Sequence, residues 1–382
     1  MQSQKTFVEY YEKLGFTPVR QGAMDRDAHF AKRRALYNSL GLPSLAFRDA
    51  RVLEFGPGPG DNALYIDSLK PSDYCLVDGS STSIKAIQEK LDNGQLDKSR
   101  CHISQSLIKN YPEGEEYDIV LCEALIPNQE DSAGTLRHVA SFAGKDGVVV
   151  STTQSQLSYL SEILRRLVKP VFARKFDDFK ELTGALTQFF TPDLDSLKGM
   201  SRRYDDWVLD TILNEGNENM AFSLRHAVEA IGEEFTVLGT SPSFSQDWRW
   251  YKAIPIDERP QNQAFLDSLD LWALMLIDYR IDPNQRTPDQ KITLRAETLG
   301  DDILKRQVDI WHGDRVEELP TILETVSELS RTIRPILPET SDSLTDFVTG
   351  MARLIDGDLS ADFGSFRPWF GRGMQYVSFI RS

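Results

Sequence analysis

The sequence predicts a doubly wound α/β sheet, and three observations carry that prediction. Short apolar strands alternate with amphipathic helices across residues 51–153, the rhythm of parallel βαβ units. Several strands, such as "DYCLVD" and "GVVVSTT", are nearly unbroken apolar runs, as strands covered on both faces must be. The first strand, "RVLEF", runs straight into "GPGPG", where missing Cβ atoms let backbone come close to a ligand.

The elements follow in order. Residues 24–40 place Phe30, Tyr37 and Leu40 near helical spacing, and Gly41 with Pro43 supplies the stop; residues 1–45 are read as an N-terminal helical lead-in. Strand 51–55 passes through the glycines into the helix "NALYIDSL". Strand 73–78 leads to a helix capped by Ser81 or Ser83, which buries Ile84, Ile87 and Leu91 and ends at Gly94. Strands 100–104 and 117–123 precede the helix "TLRHVASFAG", and strand 147–153 follows it. Residues 171–222 lose this regularity and are expected as an insertion after the fifth strand, over the ligand-bearing edge. A helix at "SLRHAVEAIGEEF" and a strand at "FTVLGTS" resume the pattern, with 247–254 expected as an antiparallel partner. Residues 46–254 thus form the sheet domain. Residues 255–382 read as mostly helical, with Leu344, Phe347, Val348, Met351 and Ile355 on one apolar stripe and "MQYVSFI" strand-like.

At 382 residues the chain can bury a large core, and 40% hydrophobic with 26% charged residues is ordinary for a globular protein. A net charge of −15 argues against nucleic acid as partner, because phosphate binding rests on Lys and Arg. Cys75, Cys101 and Cys122 have no paired spacing and are expected as reduced core residues, with no metal site. No leader pattern and no run of about 18 apolar residues is found, so a cytoplasmic protein without a membrane span is expected.

The glycine turn narrows the ligand. A dinucleotide would set its pyrophosphate on the following helix N-terminus, but Asp61 stands there, and Pro57 and Pro59 lack N–H donors. The G-x-G-x-x-G spacing fails, and no Gly-Lys-Ser/Thr follows. A ligand with adenosine but positive charge in place of phosphate suits the loop better, and S-adenosylmethionine has that character. Glu54 lies two residues before Gly56, and Asp78 ends the second strand eighteen residues after Gly60, where a carboxylate can accept both ribose hydroxyls.

Here "VLEFGPGPG" resembles the first motif of the class I S-adenosylmethionine-dependent methyltransferases, (V/I)-L-(E/D)-x-G-x-G-x-G. The resemblance covers roughly residues 45–255 and implies a Rossmann-like methyltransferase sheet. It implies that Glu54, Gly56, Gly58 and Gly60 line the methionine and ribose part and that Asp78, with Gly79, holds the ribose. The family often carries an acid after the third strand against the adenine amino group; this chain has "HISQSLI", so Gln105 or Ser106 is expected in that place.

On the acceptor side, Glu123 ends the fourth strand at the ligand-bearing edge. It is a candidate general base or a partner of the cofactor's sulfonium end. His138, on the next helix, is the second catalytic candidate, with a packing role as the alternative. His29 lies in the lead-in, a segment that can fold over the cofactor in this family. "CEALIPNQ" lacks the Asn/Asp-Pro-Pro-aromatic element of relatives that methylate nucleobase amines. Asp247, Trp248, Arg249 and Trp250 suit a sugar ring or an aromatic acceptor, with a hairpin of packed tryptophans as the alternative, and Arg367, Arg372 and Arg381 suit an anionic acceptor, with pairing to nearby carboxylates as the alternative.

The expected function is methyl transfer from S-adenosylmethionine to a small or medium-sized acceptor, foremost an oxygen of a sugar or glycan. An O- or N-methyltransferase of a natural-product scaffold is the alternative. A non-catalytic binding protein on the same fold is the contrasting class, and a nicotinamide oxidoreductase is disfavoured by Asp61 and the prolines.

Overall fold

The computed structural model describes residues 25–197, 200, 202–214, 221–244, 250–253, 260–313 and 315–382. The chain opens on α1 (Arg26–Ser39), whose first turn is capped by Asp25 accepting from the Asp27 N–H. Then come β1 (Arg51–Phe55), α2 (Ala63–Ser68), β2 (Asp73–Asp78), α3 (Ser81–Asp92), β3 (Cys101–Gln105), β4 (Tyr117–Cys122), α4 (Ser132–Ala140) and β5 (Ala143–Thr153). The cap of α3 is Ser80, not Ser81 or Ser83: its hydroxyl accepts from the Ser83 N–H at 3.4 Å. Helices α5 (Leu160–Arg166), α6 (Val168–Ala173), α7 (Phe179–Ser196), α8 (Tyr204–Trp207) and α9 (Leu224–Ala230) lead to β6 (Phe235–Ser241). Helices α10 (Pro260–Trp272), α11 (Gln290–Gly313), α12 (Leu319–Ile333) and α13 (Pro338–Ile355) lead to β7 (Gln375–Arg381).

The seven strands form one sheet in the order β3-β2-β1-β4-β5-β7-β6. Strands β1 to β5 pair in parallel, and β7 runs antiparallel to both β5 and β6. The chain order reverses between β1 and β4, which makes the crevice at their carboxyl ends the topological switch point where ligands of open α/β sheets bind.

Two expectations change here. The partner of β6 is not 247–254 but β7: Tyr251–Ala253 is a short 3₁₀ turn, and residues 245–249 and 254 lie outside the described residues. Alternation alone could not choose between the two candidates, since both carry aromatic and apolar residues within a short run. The stretch 171–222 is helical over α6 to α8, with one π-helical turn at Val208–Ile212. These helices do not lie loose on the sheet: Val171, Leu186, Phe190 and Trp207 share one core with Ile303, Val326, Phe347 and Trp369. The insertion and the C-terminal helices therefore form a second packed unit around a common interior.

The sheet is covered on both faces. Leu53, Phe55, Val120, Val149 and Phe379 face one core under α4 and α9; Val52, Leu76, Leu121 and Val150 face another with Tyr37 and Tyr65. Period-two alternation sorts β1 residue by residue, placing Val52 and Glu54 on the α1 side and Leu53 and Phe55 on the other. The three cysteines are buried and free, and no described helix is long and apolar enough to cross a membrane.

Candidate functional site

The glycine turn closes the carboxyl end of β1. Gly56, Gly58 and Gly60 have φ of +68°, +57° and +81°, dihedrals that cost an L side chain about 1–2 kcal/mol. Gly56 also sits against Leu125 of the loop after β4, where an added Cβ would lie 2.2 Å from Cδ1. A Cβ on Gly58 would meet nothing within 4 Å, so the turn presents an open face there.

Asp78, at the end of β2, ties this turn down. Its Oδ2 accepts from the Gly58 N–H at 3.1 Å and its Oδ1 from the Ser80 N–H at 2.8 Å. Burial pushes its carboxyl upward, and the Ser80 and Gly58 N–H groups pull it back. Each oxygen keeps a further acceptor site. Gly79 follows, where a Cβ would lie 2.7 Å from Leu107 Cδ2; Leu107 itself is 40% exposed at this edge. Gln105 pairs with Asp78 in register and is exposed. The Ser106 N–H donates to the Asp78 carbonyl at 3.1 Å, and its hydroxyl to the Leu107 carbonyl at 3.0 Å.

Glu54 is buried on the α1 side of β1 and accepts from the Tyr74 hydroxyl. Burial pushes its carboxyl up to about 7; the Tyr74 hydrogen bond opposes this, and Glu123 adds to it. Asp61 pairs with Lys90 of α3 at 3.2 Å.

Glu123 stands at the β4 end as expected, but both oxygens are occupied. Arg33 of α1 donates from Nη1 to Oε2 at 2.8 Å and from Nη2 to Oε1 at 2.7 Å, and the Tyr37 hydroxyl donates to Oε1 at 2.7 Å. Arg33 and Tyr37 are also bonded to each other at 2.5 Å. With both oxygens committed to Arg33 and Tyr37, the geometry assigns Glu123 to holding α1 across the strand ends. Next to it, Ala124 has φ +60° and donates its N–H to Thr152 Oγ1 at 2.7 Å. Positive φ in a non-glycine residue is strain of the kind stored at functional sites.

His138 is not at this edge. Its Nε2 is 2.9 Å from the Ile108 carbonyl, its Nδ1 is 3.4 Å from Glu113, and its ring packs edge-on to Phe142; this is a packing histidine. The C-terminal arginines turn inward as well. Arg367 pairs with Asp193 at 2.6 Å, Arg372 donates to the Met275 and Ile281 carbonyls, and Arg381 donates to Ala143. They hold the helical unit and the last strand together. Asp247, Trp248 and Arg249 lie outside the described residues; Trp250 is exposed.

Arg33 and Tyr37 went unnoticed as site residues in the sequence. The available signal was the spacing of His29, Arg33 and Tyr37, a polar stripe at intervals of four on a helix that must bury that face.

Two cavities flank the strand ends. A pocket of about 350 Å³ is lined by Leu36 of α1 with Ser241, Tyr279, Arg372, Met374 and Tyr376. A cleft of about 1090 Å³ lies between α4, α9 and α11, with Asp131, Arg137, His226, Glu229, Asp301 and Lys305 in its walls.

A family model described as "Methyltransferase domain" matches residues 27–204. No curated protein matches the chain significantly. Among solved structures, the chain is similar to a magnesium protoporphyrin IX methyltransferase from Synechocystis PCC 6803 with bound SAH, at 15% identity and TM-score 0.32, over 39% of this chain and 70% of that one. It is similar to PKMT2 from Rickettsia typhi in complex with AdoHcy at 16% identity and TM-score 0.40, over 62% of this chain and 49% of that one. An O-methyltransferase family protein from Burkholderia thailandensis matches at 18% identity and TM-score 0.27, over 34% of this chain and 41% of that one.

Proposed function

We propose that this chain, whose residues 27–204 match a methyltransferase domain model, is a class I S-adenosylmethionine-dependent methyltransferase and that it methylates an oxygen of a small or medium-sized acceptor, a sugar or glycan foremost. The cofactor, when bound, supplies a methyl carbon on a sulfonium. The protein's task is then to hold an acceptor oxygen in line with it and to remove the oxygen's proton.

The chain's residues fit such a ligand. Gly58 leaves an open face beside an Asp78 whose carboxylate is braced by two backbone N–H groups and still has acceptor sites for ribose hydroxyls. This is the observation that carries the reading. Glu54, Gly56 and Gly60 complete the turn for the methionine and ribose part, Gly79 shapes the ribose edge, and exposed Leu107 offers an apolar face for adenine beside Gln105 and Ser106. Glu123 takes part by anchoring α1. Residues 46–254 are proposed to carry the cofactor, with 1–45 covering it and the 171–222 insertion with 255–382 shaping the acceptor side.

The sugar reading moves from 247–250 to the smaller pocket, where the rings of Tyr279 and Tyr376 stand near Arg372, an arrangement suited to a sugar face and its hydroxyls. The larger, acid-lined cleft favours a second reading, a bulkier amine-bearing natural-product scaffold.

Calorimetric titration with S-adenosylhomocysteine, beside Asp78→Ala and an NAD control, tests the site. Saturable binding that the variant loses is expected; absence of binding in the wild type refutes the reading.

A further inference from the structure

The site leaves a buried nitrogen without a partner. On the buried stripe of α1, Arg33 and Tyr37 are bound to Glu123, but His29 is not. It is 8% exposed, and among the described residues its Nε2 has no hydrogen-bond partner. Asp61, just past the glycine turn, is close enough to act on the ring electrostatically. A neutral imidazole carries its proton on one ring nitrogen and keeps a lone pair on the other. In the tautomer with its proton on Nδ1, the buried, unpartnered Nε2 is an acceptor awaiting a donor.

Its position is fixed from two sides. Asp61 follows β1, and Arg33, one helical turn after His29, is locked to the end of β4. His29 thus stands over the crevice between those two strand ends, the switch point of the sheet.

We propose that His29 is the general base that takes the acceptor's hydroxyl proton. This rests on the methyltransferase reading above and fills the role that Glu123 and His138 leave open. As the O–H bond breaks, its proton passes to Nε2. The oxygen's electron pair forms the bond to the methyl carbon, and the methyl–sulfur pair stays on sulfur. The imidazolium that results lies near the Asp61 carboxylate, which favours its charge.

The electrostatics agree. Burial holds His29 below its ordinary 6.5; Arg33 and, more weakly, Lys32 on the same helix act in the same direction, and the Asp61 backbone and carboxylate act against them. Asp61 is itself paired with Lys90 of α3. The ring is neutral at neutral pH, as a base must be.

Histidine nitrogen NMR of the full chain reads the ring directly, with the His29 signal assigned by its loss in His29→Gln or His29→Asn. A lone pair on Nε2 at neutral pH and a midpoint below 6.5 are expected; a protonated Nε2 at neutral pH overturns the proposal. Turnover is then followed as S-adenosylhomocysteine release, with glucose and catechol as probe acceptors. His29→Gln is expected to lose roughly 10²–10⁴-fold in kcat, together with the acid limb of the pH profile, while S-adenosylhomocysteine affinity stays within about threefold. Unchanged kcat, or an acid limb that survives the substitution, overturns it. Absence of S-adenosylhomocysteine binding in the wild type would instead strike at the methyltransferase site, not at the role of His29.

Discussion

Replacing Glu54 by Gln should stabilise the protein in alkaline solution and leave it unchanged in acid. Glu54 is buried beneath α1, hydrogen-bonded by Tyr74, and its carboxyl is pushed up to about 7 from 4.5. The folded protein therefore holds this proton more tightly than the unfolded chain does. Below about pH 4.5 both states are protonated and the residue contributes no pH dependence. Between 4.5 and 7 the unfolded chain releases its proton while the folded protein keeps it, so stability falls as pH rises. Above that range the full cost is present: a shift of this size corresponds to about 3 kcal/mol at 1.36 kcal/mol per unit. Gln keeps an oxygen for the Tyr74 hydroxyl but cannot ionise. Urea unfolding followed by tryptophan fluorescence, at several pH values from about 5 to 8, should show Glu54→Gln gaining on the wild type with rising pH, up to about 3 kcal/mol. A stability difference that does not vary with pH, or a variant weaker at the alkaline end, refutes the argument that burial dominates. The same variant should bind S-adenosylhomocysteine less well in alkaline buffer if Glu54 faces the ligand's cationic end.

Other changes separate fold from site. Arg33→Met leaves Glu123 buried without its partner and should cost about 3–5 kcal/mol, whereas Arg33→Met with Glu123→Gln should recover much of that loss in urea titrations; equal losses would mean that the pair is not coupled. Asp78→Ala should reduce S-adenosylhomocysteine affinity at least about tenfold and cost about 1–3 kcal/mol of stability, because the Gly58 and Ser80 N–H groups lose their acceptor. Gly58→Ala, with open space around its Cβ, should cost only about 1–2 kcal/mol in thermal unfolding yet abolish ligand binding measured by calorimetry. Gly56→Ala, facing Leu125 at 2.2 Å, should be the more destabilising of the two; the reverse order would refute the open-face reading of Gly58.

The sheet was largely legible because its signals are local. Strand runs at 51–55, 73–78 and 117–122, the glycine turn and the Asp78 strand end each announce themselves within a few residues. What escaped depends on contacts between distant segments. The choice of β7 over 247–254 beside β6 is made by pairing across the whole helical region. The Arg33–Glu123 pair joins residues ninety positions apart, and it turned a candidate base into an anchor. For the same reason the partners of the C-terminal arginines could not be named from sequence: Asp193 and several carbonyls lie on other elements.

The place of β7 also bears on how the molecule is made. It is the middle strand of the antiparallel trio β5-β7-β6, yet roughly 130 residues of mostly helical chain separate it from β6. Until it arrives, β5, interior in the finished sheet, stands as an edge and β6 lacks its strand partner, so both carry open rows of amide and carbonyl groups. During synthesis the helical unit has the opportunity to consolidate first and deliver β7 as a wedge into a waiting gap. Anything that slows those helices prolongs the interval in which the gap can capture a foreign strand. For this chain, success in the cell then turns on the timing of one late insertion as much as on the final stability of the sheet.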